Sequence, residues 1–153
     1  MINPTVKKGV SILEEAEIIS VLIKRTSLEF DKIANSVLAP YQLTNTQFKM
    51  LRYLAKQTDL TVTQRDLEYN FSMSNPAVTG ILQNLEKKSL IIRKTNPLDA
   101  RSKVIGLTEK SLALSSKLAQ LSHEMDSRFT KTLSETEKEQ LAILLQKILE
   151  TPK

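Results

Sequence analysis

Residues 63–107 read TQRDLEYNFSMSNPAVTGILQNLEKKSLIIRKTNPLDARSKVIGL, and the order of elements in this segment indicates the fold of the chain. It contains two short helical patterns close together, and two strand-like segments rich in lysine and arginine follow them directly. A helix-turn-helix with a β-hairpin wing has this order of elements, and it holds its second helix in a groove of DNA. The stretch therefore predicts a winged helix-turn-helix.

The second helix of the pair is predicted to start at Ser74. A serine hydroxyl at that position accepts a hydrogen bond from a free backbone N–H of the first turn. Pro76 falls in that turn, where its missing N–H costs nothing. The apolar residues that follow have helical spacing and predict one buried face. They are Val78, Ile81, Leu82 and Leu85.

The opposite face of this helix is small and uncharged near its start and basic only at its end. It carries Pro76, Thr79, Gly80, Gln83 and Lys87. A solvated face would more often carry Glu and Lys throughout, whereas a major groove requires close approach and short polar groups. Gly80 weakens the helix by about 1 kcal/mol relative to Ala. Packing of Gly80 against another helix is the alternative explanation for its presence.

A basic hairpin is predicted after this helix, with strands at Leu90–Lys94 and Lys103–Leu107 and a loop of turn-forming residues at 95–102. The segment from Lys87 to Lys103 holds six Lys or Arg and one acid, so its net charge of +5 equals that of the whole chain. The other 136 residues therefore sum to zero. This concentration is typical of phosphate contact, and a solvated hairpin whose lysines protect a sheet edge is the alternative.

The composition excludes several classes of function. The chain of 153 residues is 41% hydrophobic, which suffices for the core of one domain. It has no Cys and one His, which excludes disulfides, thiol sensing and Cys- or His-rich metal sites. Three glycines cannot build a phosphate loop, and no nucleophile–base pair is evident. We expect no cofactor, no catalysis, no membrane span and a cytoplasmic location.

Helical patterns flank the central stretch on both sides. The first covers residues 11–39 and ends before Pro40, and a capping box Thr44-x-x-Gln47 opens the next, whose apolar stripe is Phe48, Leu51, Leu54 and Ala55. After the hairpin, Thr108 is predicted to cap one long helix, and Ser134-x-x-Glu137 to open a last one. The long helix has a near-heptad stripe formed by Leu114, Leu118, Leu121, Met125 and Phe129.

The terminal helices together carry more apolar surface than a small winged helix could cover. The last one alone has a dense stripe formed by Leu141, Leu144, Leu145, Ile148 and Leu149. We therefore predict that these helices form a subunit interface. The alternative is a helical bundle within one chain.

A set of short motifs recurs in order along the chain. They are Leu43-Thr44-x-x-Gln47, Thr63-x-x-Asp66-Leu67, Val78-Thr79, Leu85-Glu86-Lys87-Lys88, Leu90-Ile91-x-Arg93, Asp99-x-Arg101 and Leu107-Thr108. Taken together they resemble the MarR family of bacterial winged helix-turn-helix regulators, over nearly the whole chain. Asn75-Pro76-x-Val78 and Ile105-Gly106-Leu107-Thr108 are most similar to its multidrug-responsive members.

Two positions depart from the family pattern, which usually has Gly where Ser89 and Ser111 stand. Ser89 is therefore expected to adopt a left-handed conformation, at a cost of roughly 1 kcal/mol.

The resemblance implies a mainly α fold with a small antiparallel hairpin, in one domain over residues 1–153. Residues 44–107 would form the DNA-binding lobe, and residues 11–39 and 108–150 the dimerisation helices. It implies a homodimer on a pseudo-palindromic operator, with half-sites about one helical turn apart. It also implies a repressor controlled by a small molecule bound between the heads and the dimerisation helices. An activator of the same fold is the alternative.

The expected DNA contacts combine the residue patterns with the resemblance. Ser74, Asn75, Pro76, Ala77, Thr79, Gly80 and Gln83 would enter the major groove, and Arg93, Lys94 and Lys103 would hold phosphates. The resemblance places Arg101 in the minor groove and gives Asp99 the role of bracing the wing. Lys87 and Lys88 would raise the local potential. The effector and its site are not identified, and Phe30, Phe48 and Tyr53 could line a pocket or belong to the core. A winged helix that binds protein is a competing hypothesis, which a neutral wing would favour.

Overall fold

The computed structural model describes residues 18–57 and 61–150, and over these it is mainly helical with one antiparallel hairpin, as the sequence predicts. Its elements are α1 (Ile18–Leu38), a 3₁₀ turn (Ala39–Tyr41), α2 (Asn45–Ala55), α3 (Gln64–Phe71), α4 (Asn75–Lys87), β1 (Ile91–Asn96), β2 (Asp99–Leu107), α5 (Glu109–Ala113), α6 (Ser115–Phe129) and α7 (Glu135–Leu149). The predicted start of the first helix, over residues 11–17, lies outside the described residues.

The helix starts are set by local hydrogen bonds, as the sequence predicts. Thr44, Thr63 and Ser134 each cap a helix through a complete capping box, in which the third helical residue bonds back to the backbone N–H of the cap. At α4, the Ser74 hydroxyl accepts from the backbone N–H of Ala77 at 3.4 Å. Pro40 lies in the 3₁₀ turn that ends α1. Each bond satisfies an orphan N–H of a first turn.

The two serines at positions where the family usually has glycine behave differently. Ser89 ends α4 with φ of 57°, in the left-handed region, as predicted. Ser111 lies within α5 and is 1% exposed, and its hydroxyl donates to the backbone carbonyl of Leu90 at 2.5 Å. The first serine therefore imposes backbone strain, while the second supplies a buried hydrogen bond between α5 and the start of the wing.

The core of the lobe is formed by buried residues of α2, α3, α4 and the two strands. Val78, Leu82 and Leu85 are fully buried, and Ile81 is half-buried, so the predicted stripe of α4 is confirmed. The stripe predicted for α2 is partly wrong, because Ala55 is exposed at the end of the helix. Met50, on another side of α2, is fully buried instead, since α2 contacts α1, α6 and β2 on different faces.

The hairpin is longer and tighter than predicted. The turn is only Pro97-Leu98, and the strands extend over most of the predicted eight-residue loop. Thr95 pairs with Lys103 and Asn96 with Asp99, which leaves residues 100–102 as a bulge in β2. Some of the turn-forming residues of this segment therefore form a bulge instead of a loop. A bulge changes the direction of nearby side chains and ends the regular strand pairing.

The hairpin is also tied to the start of α3. The backbone N–H of Ile105 donates to the carbonyl of Val62 at 2.8 Å, and Thr63 forms a bridge with Val104. These bonds place the base of the wing next to the first turn of α3. Residues far apart in sequence, on α3 and on the wing, therefore lie side by side.

The single long helix predicted after the hairpin is wrong. The chain bends at Leu114, between α5 and α6. The reason is that the two helices pack on different partners, since α5 contacts β2 and α6 packs along α1. A straight helix could not follow both.

The predicted subunit interface is divided by the structure. The stripe of α6 packs within the same chain, because Leu118, Leu121 and Met125 are buried in its core. In contrast, α7 has no buried residue, and the first half of α1 is largely exposed. These two helices line an open apolar groove of about 750 Å³. Uncovered apolar residues on them include Ile19, Leu22, Ile23, Leu141, Leu144 and Ile148. In the part of the chain that the structure describes, no helix is long and apolar enough to cross a membrane.

Replacing Ser89 by glycine is expected to stabilise the protein by roughly 1 kcal/mol, because glycine adopts a left-handed conformation without a Cβ clash. The exposed Ser89 side chain makes no hydrogen bond that glycine would remove. The free energy of unfolding, from urea titrations of wild type and Ser89→Gly, measures the gain. Ser116→Gly, in the first turn of α6, is the matched control and should lower stability. A loss of stability in Ser89→Gly would contradict the strain assigned here.

Candidate nucleic-acid interface

One face of α4 is open to solvent along its length. Of the residues that the sequence assigned to the major groove, Ser74, Asn75, Pro76, Ala77, Gly80 and Gln83 are exposed, and Thr79 is half-buried. The apolar stripe of the same helix is buried, so a large rotation of the helix would expose its core residues. The open face is therefore fixed in direction.

Gly80 lies at the middle of this face with free space around it. A Cβ atom built at Gly80 would meet no heavy atom within 4 Å apart from the chain neighbours and the backbone of its own helix. Within the described part of the chain, no neighbouring residue requires a glycine at position 80. The alternative that Gly80 packs against another helix therefore has no support within one chain. The missing side chain instead leaves room for the surface of another molecule.

Helix α3 holds the start of α4 through polar side chains. Gln64 donates through Nε2 to the hydroxyl of Thr79 at 2.8 Å and to the carbonyl of Asn75 at 3.5 Å. The Nδ2 of Asn75 donates to Glu68 at 2.7 Å. The Thr79 hydroxyl can still donate, and the amide oxygen of Asn75 can still accept. Both side chains are therefore held in place with hydrogen-bonding capacity left for a base edge.

The wing tip is ordered by side chains that bond to the backbone. Asp99 accepts through Oδ1 from the backbone N–H of Arg101 at 3.0 Å, and Asn96 accepts from the N–H of Leu98 at 2.9 Å. Ser102 accepts from Asn96 at 2.9 Å and donates to the carbonyl of Asp99 at 3.2 Å. The Asp99 carboxylate thus bonds to the loop backbone, and no ion pair is formed by the Arg101 guanidinium among the described residues.

Four cationic side chains line a notch of about 250 Å³ between the wing and the start of α3. They are Arg65, Arg93, Arg101 and Lys103. Arg65 is not among the residues predicted from the sequence, because it lies on α3, before the basic segment. The pairing of Ile105 with Val62 brings it next to the wing. The sequence did contain one indication of its role. Arg65 lies two residues after the capping Thr63, so its side chain is at the N-terminus of α3. The notch can accept the anionic oxygens of a phosphate.

The remaining basic residues do not all point outward. Lys94 is exposed on β1 and lies outside the notch. Lys88 turns inward, where its Nζ donates to the carbonyl of Gln42 and to Oε1 of Gln47 at 3.1 Å. Lys87 is exposed at the end of α4. The concentration of charge seen in the sequence therefore divides into an outward set and one inward lysine.

Arg93 is shared between the notch and an ion pair with α4. Its Nε and a terminal nitrogen donate to one oxygen of Glu86, at 3.1 and 2.5 Å. The hydrogen bond from Arg93 and the charges of Arg93 and Lys103 hold the pKa of the Glu86 carboxyl below its ordinary value of 4.5, against a smaller opposing effect of burial. This pair joins β1 to the last part of α4.

Phe30, Phe48 and Tyr53 line one cleft of about 390 Å³ between α1, α2 and α6. Phe48 is also part of the core, while Phe30 stacks edge-on against Phe129 with ring centroids 5.3 Å apart. The Tyr53 hydroxyl accepts from Asn70 at 3.0 Å. These aromatic residues thus line a cleft and also pack in or against the core. Among the described residues, no group of three His, Asp or Glu is placed to hold a metal ion.

The comparison with known proteins agrees with this geometry. The sequence model of the MarR family matches residues 43–103, which cover the lobe from before α2 into β2. The multiple antibiotic resistance protein MarR of Escherichia coli is 30% identical over 129 residues, covering 84% of this chain and 88% of that protein. An HTH-type transcriptional regulator of Bacillus subtilis, YdcH, is 34% identical over 92 residues, or 58% of this chain and 61% of its own length.

Solved structures with similar folds include complexes with DNA. The S. aureus MepR–DNA complex has a TM-score of 0.75 and 33% sequence identity, covering 87% of this chain and 97% of that one. A mutant of MarR from Escherichia coli, complexed with operator DNA, has a TM-score of 0.75 and 29% identity, covering 86% of this chain and 93% of that one.

Because the folded pKa of Glu86 is lowered, its carboxylate should stabilise the fold above pH 4.5, and this contribution should vanish as the pH falls through the lower folded value. Glu86→Gln is therefore expected to lower the free energy of unfolding at pH 7 and to have little effect near pH 2. Denaturant titrations of both proteins across this range measure the difference. The same comparison in an Arg93→Gln background is the control, since it removes the main cause of the shift. If Glu86→Gln had the same pH-dependent effect with Arg93 and with Gln at position 93, Arg93 would not be the cause of the lowered pKa.

Proposed function

The chain belongs to the MarR family, which is made up of transcriptional regulators, and we propose that it binds operator DNA as a homodimer and regulates transcription. One observation carries the proposal: the open face of α4 around Gly80 stands beside a notch of four cations. The open face admits a base-pair surface, and the notch admits a phosphate backbone next to it. Relatives of the same fold whose structures were solved in complex with DNA support DNA binding by this chain.

In this proposal α4 enters the major groove by its N-terminal half. Asn75, Thr79 and Gln83 offer hydrogen bonds to base edges, while Ala77 and Gly80 allow close approach and contact with thymine methyl groups. Ser74 and Pro76, at the start of the helix, lie against the sugar–phosphate edge of the same groove.

The wing supplies contacts outside the major groove. Arg101 extends from the bulge of β2 into the minor groove, and Asp99 holds the bulge by its bond to the Arg101 backbone. Lys94 and Lys103 bind phosphates together with Arg93, and we add Arg65 to this group because it lines the same notch as Arg93 and Lys103. Arg93 keeps its ion pair with Glu86 while it faces the DNA backbone.

The second subunit covers the apolar surfaces of α1 and α7 that one chain leaves exposed. A two-fold axis presents the same patch on both chains, so these surfaces can bury each other. The two lobes then face half-sites about one helical turn apart on a pseudo-palindromic operator. We propose that the protein is a repressor and acts in the cytoplasm. The cleft lined by Phe30, Phe48 and Tyr53 is the candidate site for a small-molecule effector.

The proposal is tested by selecting duplexes from a random pool with the purified protein and then titrating the enriched sequence against a scrambled duplex. A two-fold-symmetric enriched sequence, bound more tightly than the scrambled one with a steep salt dependence, is the expected result. Selection that enriches no sequence would overturn the proposal. The DNA that flanks the coding region of the protein is the natural first candidate for the operator.

Arg101→Ala is expected to weaken operator binding roughly tenfold or more and to reduce the salt dependence of the affinity, because one cationic contact is lost. Stability should change little, since the side chain is exposed. Fluorescence anisotropy with the selected duplex measures the affinity. Lys131→Ala, which removes one positive charge from the turn after α6, is the matched control and should leave it unchanged. Equal affinities of Arg101→Ala and wild type would contradict the role of the wing.

Gly80→Ala is expected to act in opposite directions on stability and on binding. The free energy of unfolding should rise by about 1 kcal/mol, because alanine favours a helix and its Cβ meets no atom of the chain. Operator affinity should fall, because the same Cβ stands between α4 and the bases. Urea titration and anisotropy on one preparation measure both. An affinity equal to that of wild type would show that α4 does not approach DNA closely at this position.

A further inference from the structure

Two of the three polar residues that the structure buries among its described residues lie in the first turn of α2. Asn45 is 5% exposed and Gln47 is 6% exposed. A buried amide costs free energy unless its hydrogen bonds are satisfied. The partners of these two amides therefore indicate what they do.

Asn45 fastens the start of α2 to α1. Its Nδ2 donates to the carboxylate of Asp31 at 2.6 Å, and its backbone N–H donates to Oδ1 of Asn35 at 3.0 Å. Asp31 and Asn35 are four residues apart, so they lie on one face of α1. Two bonds to one helix face fix both the position and the direction of the first turn of α2.

Gln47 fastens the same turn to α4. Its Nε2 donates to Oδ1 of Asn84 at 3.1 Å, and its Oε1 accepts from Nζ of Lys88 at 3.1 Å and from the backbone N–H of Thr44 at 3.2 Å. Asn84 and Lys88 are again four residues apart, on one face at the end of α4. Lys88 also donates to the carbonyl of Gln42, just before α2.

We propose that Asn45 and Gln47 form a polar joint that fixes the angle between the dimerisation helix α1 and the recognition helix α4. This inference rests on the proposed function, in which α1 helps to hold the two chains together and α4 reads the DNA. In a two-fold dimer, a rotation of each lobe about α2 changes the distance between the two recognition helices. The joint therefore sets the half-site spacing that the dimer accepts.

Hydrogen bonds are needed for this role because apolar burial has no direction. The leucines of the lobe would be buried almost as well if α4 slid or turned by a few degrees. The hydrogen bonds of Gln47 would not survive such a change, since they weaken steeply away from their preferred geometry. The joint thus adds a preferred angle to a core that otherwise tolerates several.

The first experiment measures the angle without DNA. The chain has no cysteine, so a spin label on Gln83→Cys reports the distance between the two recognition helices of the dimer. We expect one narrow distance distribution for the otherwise unchanged protein and a shifted or clearly broader one for Gln47→Leu, which loses all three bonds. Gln47→Glu keeps the acceptor for Lys88 and Thr44 and should restore most of the narrow distribution.

A control variant must show that lower stability alone does not shift or broaden the distance distribution. Val62→Ala removes a buried side chain that lies before α3 and makes no bond to the joint, so it should lower stability and leave the distance distribution unchanged. A distribution for Gln47→Leu equal to that of the unchanged protein, or broadened equally by Val62→Ala, would overturn the proposal.

A second experiment connects the joint to recognition. The selected operator is remade with one base pair added or removed between its half-sites, and each duplex is titrated without the spin label. We expect wild type to prefer the original spacing about tenfold or more, and Gln47→Leu to lose most of this preference while its affinity for a single half-site stays within about twofold. An unchanged preference in Gln47→Leu would overturn the proposal. Failure of wild type to select any sequence would count against the proposed function alone, because the distance measurement needs no DNA.

Discussion

The burial of one face of α4 is the constraint on which the remaining structure depends. Val78, Leu82 and Leu85 are fully buried in the core of the lobe, where α4 contacts α3 and β1. Burying each such side chain contributes roughly 1.5–3 kcal/mol, so this helix cannot turn to hide its other face. The side around Gly80 is consequently kept open at the surface, although glycine there weakens the helix. Stability and the capacity to meet another surface are thus assigned to opposite sides of one helix.

The cationic surface depends on that same placement. The pairing of Ile105 with Val62 brings the wing next to the start of α3, and four cations then surround one notch. Few carboxylates oppose them: Glu86 pairs with Arg93, and Asp99 bonds to the backbone of the bulge. The unpaired positive charge attracts an anionic polymer over a distance set by the ionic strength.

The molecule uses polar and apolar contacts for different purposes. Apolar residues fill the lobe and the contact of α6 with α1, where precise direction matters little. Buried amides appear in the first turn of α2, where α1 and α4 are both within reach. Among the described residues, the apolar surface of α1 and α7 is left uncovered, and this is the ground for proposing a functional unit of two chains. These three kinds of contact connect the place where the chains associate with the place where the DNA is read.

Sequence patterns were sufficient to predict the helix starts, the buried stripe of α4 and the family, because each depends on residues close together along the chain. The caps at Thr44, Thr63, Ser74 and Ser134 needed only neighbouring N–H groups. The open face of α4 followed from the same periodicity, and its contact with DNA is our proposal.

The folded structure was needed for every feature that depends on contacts between distant segments. It bent the chain at Leu114, because α5 and α6 pack on different partners, and it brought Arg65 to the wing. The side chain of Lys88 is directed toward Gln47 and away from the basic surface. The sequence could not predict this, because a lysine near a helix end can extend toward solvent or toward the protein. Local pattern gives the composition of a helix face, while the partner of that face is fixed by the three-dimensional packing of segments that the sequence keeps apart.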